Sequence, residues 1–510
     1  MFSVQQARRA RAAAILAEAA SAKSDAEKRF LLNLFVGTNP GVATAVETPE
    51  QMLAYGRQRV ARDFPDQPEL QVEVLGTIGD VERQRGRYAE SRSALEQAAD
   101  IARTRLGAGD ERTLNAELLL VRLQMAQGQY VDASRRLDSA VAAFREYHND
   151  NSEIFSEAIK DQARLRIAAG DDAVALAGEA LAIARRLPYA DGADQVSHAQ
   201  QTFGDALIRS GRAAEALAPL DEARAYITAK VGSQHAFVAT ILRLSASAQA
   251  QLGRYDRAEE LSRQAVAIYR QAYKRPYLNF ASGLSEQADI LAQLDRCDES
   301  IAVGEEAFAM QRQLFSGAHV AIAATLEIIG AARFRQHRYA DAEQAQREAL
   351  ETAEKTVAAD HPIVARTRRD LGRTLVALGR YGEAQSLLDA ALAADRKRYG
   401  ESHPSLAADM IGVSELAAAR GDKQAALDAS EQALAMYAKS LPATHPNRLD
   451  AELHTADCLL ATNRNANAQA QFAAALQAAR ASTPPVPATV VRALTGLARA
   501  DLVLGTKADA

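Results

Sequence analysis

The feature that most constrains this chain is a turn that returns every 42 residues. "GRYAES" begins at Gly86, "GQYVDA" at Gly128, "GRAAEA" at Gly211 and "GRYDRA" at Gly253. "DRCDES" begins at Asp295, "HRYADA" at His337, "GRYGEA" at Gly379, "GDKQAA" at Gly421 and "NRNANA" at Asn463. A degenerate member begins at Gly170, and the only irregular step is one of 41 residues between Gly170 and Gly211. A fixed period of this length marks one supersecondary unit written many times.

The pattern around each turn is helical. Twelve residues after the turn the chain has alanine in all ten units, from Ala98 to Ala475. Five after it and seven before it, the positions are Ala, Ser or Gly, with Val121 the one exception. Small residues let two helix backbones approach closely, and a turn residue with positive φ ends the first helix. Each unit is therefore helix A, a tight turn and helix B. A lone hairpin cannot bury both faces, so the units must stack. The expected fold is all-α: a right-handed α–α superhelix of about ten hairpins. Composition agrees, because the chain is rich in Ala and Leu, holds only 5% aromatics and lacks Trp.

These turns and small-residue columns resemble the tetratricopeptide repeat. The 42-residue period and the loops "AADHPIVA" (358–365), "GESHPSLA" (400–407) and "PATHPNRL" (442–449) are similar to the long, kinesin-light-chain-type version. The resemblance runs from about residue 67 to 482. It implies three regions: an N-terminal helical cap (1–66), ten repeat units (67–482), and a C-terminal helix A with a tail (483–510).

His235, His319, His361, His403 and His445 share one column in the loop before helix A, with Tyr277 in the vacant place. Zinc needs its ligands on one ion at about 2.0–2.1 Å. Side chains a whole hairpin apart cannot converge so closely, so the column is read as structural, with no metal site. The proline after three of them suits the first position of a helix.

Other chemistry is missing. There is no GxxxxGK[ST], no GxGxxG after a strand, no HExxH and no GxSxG. Carboxylates are expected on solvated faces. Cys297 and Cys458 are 161 residues apart, outside any CxxC, and read as ordinary thiols. No enzyme and no cofactor are expected. With 60 Lys and Arg against 65 acidic residues, the charge of −5 disfavours a nucleic-acid partner. No run of 18 apolar residues occurs, so no membrane span is expected. The chain as written reads as cytoplasmic.

The ends carry further signals. "SDAEKRFLLNLF" (24–35) and "TPEQMLAYGRQRVARDF" (48–64) read as helices, with Ser24 and Thr48 as caps. "QARRARAAA", "FLLNLF" and "DQPELQVEVLGTIGDVERQRGRYAES" together resemble a region of bacterial membrane-bound Ser/Thr kinases, without their kinase domain or span. That resemblance implies an alternative role, the sensor region of such a kinase, and an extracytoplasmic array if an upstream span was lost. At the other end Pro484, Pro485 and Pro487 break a helix, and an eleventh helix A is expected over about 488–504. It reads as the terminal cap or as the mark of a clipped reading frame.

The leading expectation is a non-catalytic protein-interaction scaffold, a bacterial signalling or regulatory adaptor that binds a partner peptide in its groove. The resemblance places groove positions ten and six residues before each turn. Lys160 and Arg164 lie four apart on one helix A, with Arg122 one repeat earlier; Arg243 occupies the first column in the fifth repeat. Arg366, Arg369 and Arg373 share one helical face. These clusters are expected to receive an acidic or phosphorylated protein segment. The competing expectation is a ladder of internal ion pairs, with Glu327 and Glu415 in the same columns as Arg369 and Arg373 and Asp205 near Arg164.

Overall fold

The computed structural model describes residues 49–147, 152–187, 193–315, 317–481 and 487–505. Within them lie 22 α-helices and one π-helical segment (Ala102–Leu106), and no strand. The expected cap helix at 24–35, the capping residue Thr48 and the kinase-like stretches "QARRARAAA" and "FLLNLF" lie outside the described residues.

The fifth repeat shows why the sequence folds this way. Helix A spans Ala236–Gln251 and helix B spans Tyr255–Ala272. Tyr255, Ala258, Leu261, Ser262, Ala265, Val266 and Tyr269 are buried, spaced by three and four residues along one face of helix B. Between the helices, the Gly253 N–H donates to Ala250 O at 2.9 Å and the Arg254 N–H donates to Gln249 O at 2.9 Å. Those two bonds satisfy carbonyls that the helix end would otherwise leave open, and they need a left-handed residue between them. Gly253 supplies it at φ 73°. The other nine turns close in the same way. In three of them a side chain bears the left-handed strain: Asp295 (φ 61°), His337 (φ 59°) and Asn463 (φ 60°). Asp, Asn and His tolerate this region better than other side chains.

The small-residue columns face one another. Where one column carries serine, its hydroxyl donates to a backbone carbonyl of the other: Ser91 to Gly79 O and Ser300 to Ala288 O, both at 2.7 Å, and Ser414 to Ala426 O at 2.6 Å. The third repeat departs from the expected register. Its helix B begins at Val174, four residues after Gly170, where other repeats allow two. Ala175 and Ala182, the expected contact residues, are exposed; Ala177 and Ala184 are buried in their stead. The longer turn moved the contact face by two residues.

The histidine column forms helix caps. In His235, His319, His361, His403 and His445, Nδ1 accepts the backbone N–H two residues on, at 3.1–3.2 Å. The ring nitrogen thus does what a serine or aspartate oxygen does at other helix starts. Phe315 stacks on His319 at 3.6 Å and Tyr399 on His403 at 4.0 Å, each aromatic at the end of one helix and each histidine at the start of the next. Tyr277 makes no side-chain cap bond and stacks on Tyr273 at 4.0 Å.

The chain divides into two compact units between Leu165 and Arg166. In the first, the helix Pro49–Asp63 places Val60 beside Phe64, Leu70, Leu75, Leu95 and Leu123 in one core. In the second, a core runs without a break from Leu207 to Ala307. A further core in that unit joins Leu453, Phe472 and Leu476 to Ala493 and Ala500 of the last helix, Pro487–Leu504. Both cysteines are buried and free.

Candidate functional site

The expectation that carboxylates lie on solvated faces is corrected here. Glu82, Glu117, Asp161, Glu327, Asp395 and Asp409 are all buried. They are tolerated because cations on neighbouring helices meet most of them, since an unpaired buried charge is costly. The cations are largely the candidate residues read from the sequence.

In the first unit, Arg122 donates from Nε to Asp161 at 2.7 Å and from Nη2 to Glu157 at 2.7 Å. Lys160 pairs with Glu157 one turn back on its own helix. Arg164 reaches Asp161 at 3.2 Å. Burial would raise the Glu157 carboxyl, but Lys160 and Arg122 overcome it and hold that group at about 2. Lys160 is itself pushed down by burial and by Arg164. Three cations therefore share two carboxylates, and Arg164 is the most open of the three, with 38% of its side chain exposed.

In the second unit most of the pairs run across repeats. Arg243 is tied to Glu286. Arg366 Nη2 lies 2.6 Å from Glu327. Arg369 donates to Asp370 at 2.9 Å and stands 3.8 Å from Asp409. Arg373 makes two bonds of 2.7 Å to Glu415 and lies over the Phe334 ring at 5.6 Å. Burial would raise Glu415; the bidentate Arg373 holds it below the usual carboxylate range instead. Glu327 is pushed well up, by burial and by its neighbour Asp370. Asp409 has no exposed side-chain surface and no hydrogen bond to either oxygen, and burial pushes it up to about 7 against the pull of Arg369.

The first column lies deep. Leu118, Lys160, Ser285, Glu327 and Leu453 are buried, and Arg369 keeps only 14% of its side chain in the open. The pair Arg373–Glu415 joins two second-column neighbours, as a ladder requires. Glu327 meets Arg366, one turn from the Arg369 that its column suggested. Asp205 bonds Arg209 at 3.4 Å. The partners not singled out in the sequence are Glu157, Asp161 and Asp370, together with Asp409 and Glu286, which lie one repeat away from Arg369 and Arg243. The first three sit one or three residues from their cations on one helix, a spacing visible in the sequence. Asp409 has no such signal, because Arg369 belongs to the previous repeat. Among the described residues no three His, Cys, Asp or Glu side chains lie close enough to share a metal ion, and no helix is long and apolar enough to cross a membrane.

Stacked hairpins with paired charges between their first helices define an all-helical repeat scaffold of the kind typical of protein–protein interaction. The chain belongs to the tetratricopeptide repeat family. The family model matches residues 70–146, 199–271, 279–355, 322–397 and 364–439. No curated protein matches. Among solved structures, the chain is similar to a kinesin light chain from Podosopora anserina with nearly identical TPR-like repeats, at 22% identity and TM-score 0.34, over 41% of this chain and 98% of that one. It is also similar to BtubC (BKLC) from P. vanneervenii, at 20% identity and TM-score 0.38, over 44% and 91%. A Rap protein complexed with competence and sporulation factor matches at 13% identity and TM-score 0.47, over 69% and 98%.

Proposed function

We propose that this chain is a non-catalytic scaffold, a bacterial signalling or regulatory adaptor, that takes an acidic or phosphorylated segment of a partner protein on its helix-A faces. The observation that carries the reading is the state of Arg366. Nearly half of its side chain (45%) is exposed, while its counter-ion Glu327 is buried beneath it. Burial and Asp370 both oppose ionisation of that glutamate. An arriving carboxylate or phosphate can therefore take the outer edge of the guanidinium, and Glu327 can yield by accepting a proton. The planar fork of arginine suits two acceptor oxygens at once. Arg369 and Arg373 stay tied to Asp370 and Glu415 and position the helix face. Arg164 offers the corresponding edge in the first unit, where Arg122 and Lys160 hold Glu157. Arg243, tied to Glu286, serves the interior of the ladder. The role needs no covalent step and no cofactor.

The experiment measures fluorescence polarisation of labelled acidic and phosphorylated peptides against the wild-type chain, Arg366→Ala and Arg164→Ala. A hydrogen-bonded pair to a charged group is worth about 1.5–3 kcal/mol, so Arg366→Ala should weaken binding by roughly 10- to 100-fold. If no acidic peptide binds, or if Arg366→Ala binds as tightly as wild type with unchanged circular dichroism, the reading is wrong.

A further inference from the structure

Two of the capping histidines do more than cap. His361 receives the Ile363 N–H on Nδ1, and its Nε2 lies 3.2 Å from the backbone oxygen of Ala168, 193 residues earlier in the chain. His445 receives the Asn447 N–H on Nδ1, and its Nε2 lies 3.2 Å from the oxygen of Gln251, 194 residues earlier. Both bridges fall inside the second unit. Each therefore spans about four and a half repeats, which makes it a contact between successive turns of that unit's superhelix.

The neighbouring residues confirm the closeness of these seams. A Cβ on Gly170 would come within 2.6 Å of the Pro362 ring, and one on Gly253 within 3.1 Å of the Pro446 ring. Arg398 Nη1 adds bonds to Gly170 O at 2.9 Å and to Asp171 at 3.0 Å. The intervening repeat behaves differently. His403 caps its helix, but Gly211, the counterpart of Gly170 and Gly253, would have nothing within 4 Å of a Cβ.

Both ring nitrogens are committed. Nδ1 accepts, so the single proton of the neutral ring sits on Nε2 and is donated to the earlier turn. A second proton would place Nδ1–H against a backbone N–H, donor against donor, and would charge a ring that has been withdrawn from water. We propose that His361 and His445 are acid-released latches that hold successive turns of the second unit together when neutral and let them part when protonated.

The surroundings agree. Burial lowers the proton affinity of both rings. Three cations face His361 as well: Arg366 from its own helix, Arg398 from the helix Tyr381–Tyr399 and Arg209 from the helix Ala193–Arg209. The sign follows from linkage. The latched state disfavours the proton, so the latch is at full strength above the ordinary histidine value of about 6.5 and weakens as pH falls below it. Arg398 gives the Ala168 seam a second tie that acid does not break, which makes the His445 seam the diagnostic one.

The test is a pulsed electron–electron distance measurement on the full chain with nitroxides on Asp256→Cys and Ala443→Cys, two exposed positions flanking the His445 seam. The native cysteines are buried. The expected result is one short distance at about pH 7.5 and a population longer by about 10 Å, one helix diameter, at about pH 5. His445→Asn keeps the capping acceptor but is too short to bridge, so it should show the long population already at about pH 7.5. His403→Asn should change nothing. The latch is refuted if acid does not lengthen the distance, or if His445→Asn stays short and opens only with acid. It is equally refuted if lengthening comes with loss of the helical circular dichroism signal.

Discussion

Removing the charge of Asp409 should stabilise this protein increasingly as pH rises above about 4, and most at neutral pH and above. Asp409 lies on the helix Pro404–Ala419 with no exposed side-chain surface, and neither carboxylate oxygen accepts a hydrogen bond. Its nearest cation, Arg369, is 3.8 Å away and already engaged with Asp370. Burial therefore dominates and pushes the carboxyl up to about 7. An aspartate in an unfolded chain titrates near 3.9, so the gap is about three pH units, or roughly 4 kcal/mol at most. A carboxyl raised in the folded state contributes its full stability below the unfolded value. That contribution is lost as pH climbs through the folded value, here between about 4 and 7. Asp409→Asn keeps the shape without the charge. It should match wild type at about pH 4 and exceed it at about pH 8, by up to roughly 4 kcal/mol. Contacts in a repeat array are local, so the gain should concentrate in the eighth and ninth repeats. Urea unfolding at the two pH values, with amide exchange read over residues 404–419, measures both parts. A variant no more stable than wild type at pH 8, or more stable by the same amount at both pH values, would refute the reasoning.

Gly204→Ala should destabilise, although alanine is the better helix former by about 1 kcal/mol. Its Cβ would come within 2.7 Å of the fully buried Leu220, and overpacking of this kind costs about 1–3 kcal/mol; thermal melting against Ala246→Gly, where a methyl is removed, reads the sign. Glu415→Ala should cost more than Arg373→Met at about pH 7, because the first leaves a partly buried guanidinium that cannot lose its charge, whereas the second leaves a carboxylate that can take up a proton and keeps an apolar stem over Phe334; chemical denaturation of both variants decides it. Unfolding followed by circular dichroism and by amide exchange should give non-coincident transitions, since each hairpin touches mainly its neighbours.

The sequence by itself determined the hairpin, its period and its direction of stacking contact. Those features are local: a left-handed turn residue, helical spacing of apolar positions, and small residues where two backbones meet. Even the three turns without glycine were legible, because Asp295, His337 and Asn463 are side chains that accept positive φ. Many of the ion pairs were also within reach, since Lys160 with Glu157 and Arg164 with Asp161 are one helical turn apart. The register of the third repeat was not legible. Its two-residue shift comes from how the turn after Gly170 packs, and the repeat pattern alone allowed either choice. Nor could the sequence bring Asp409 under Arg369, or His445 against Gln251, 194 residues away. The reason is physical. A repeat written in the sequence fixes how each unit meets the next, but the pitch of the superhelix accumulates from small rotations at every interface. Only the folded chain shows which distant turns come to lie against each other.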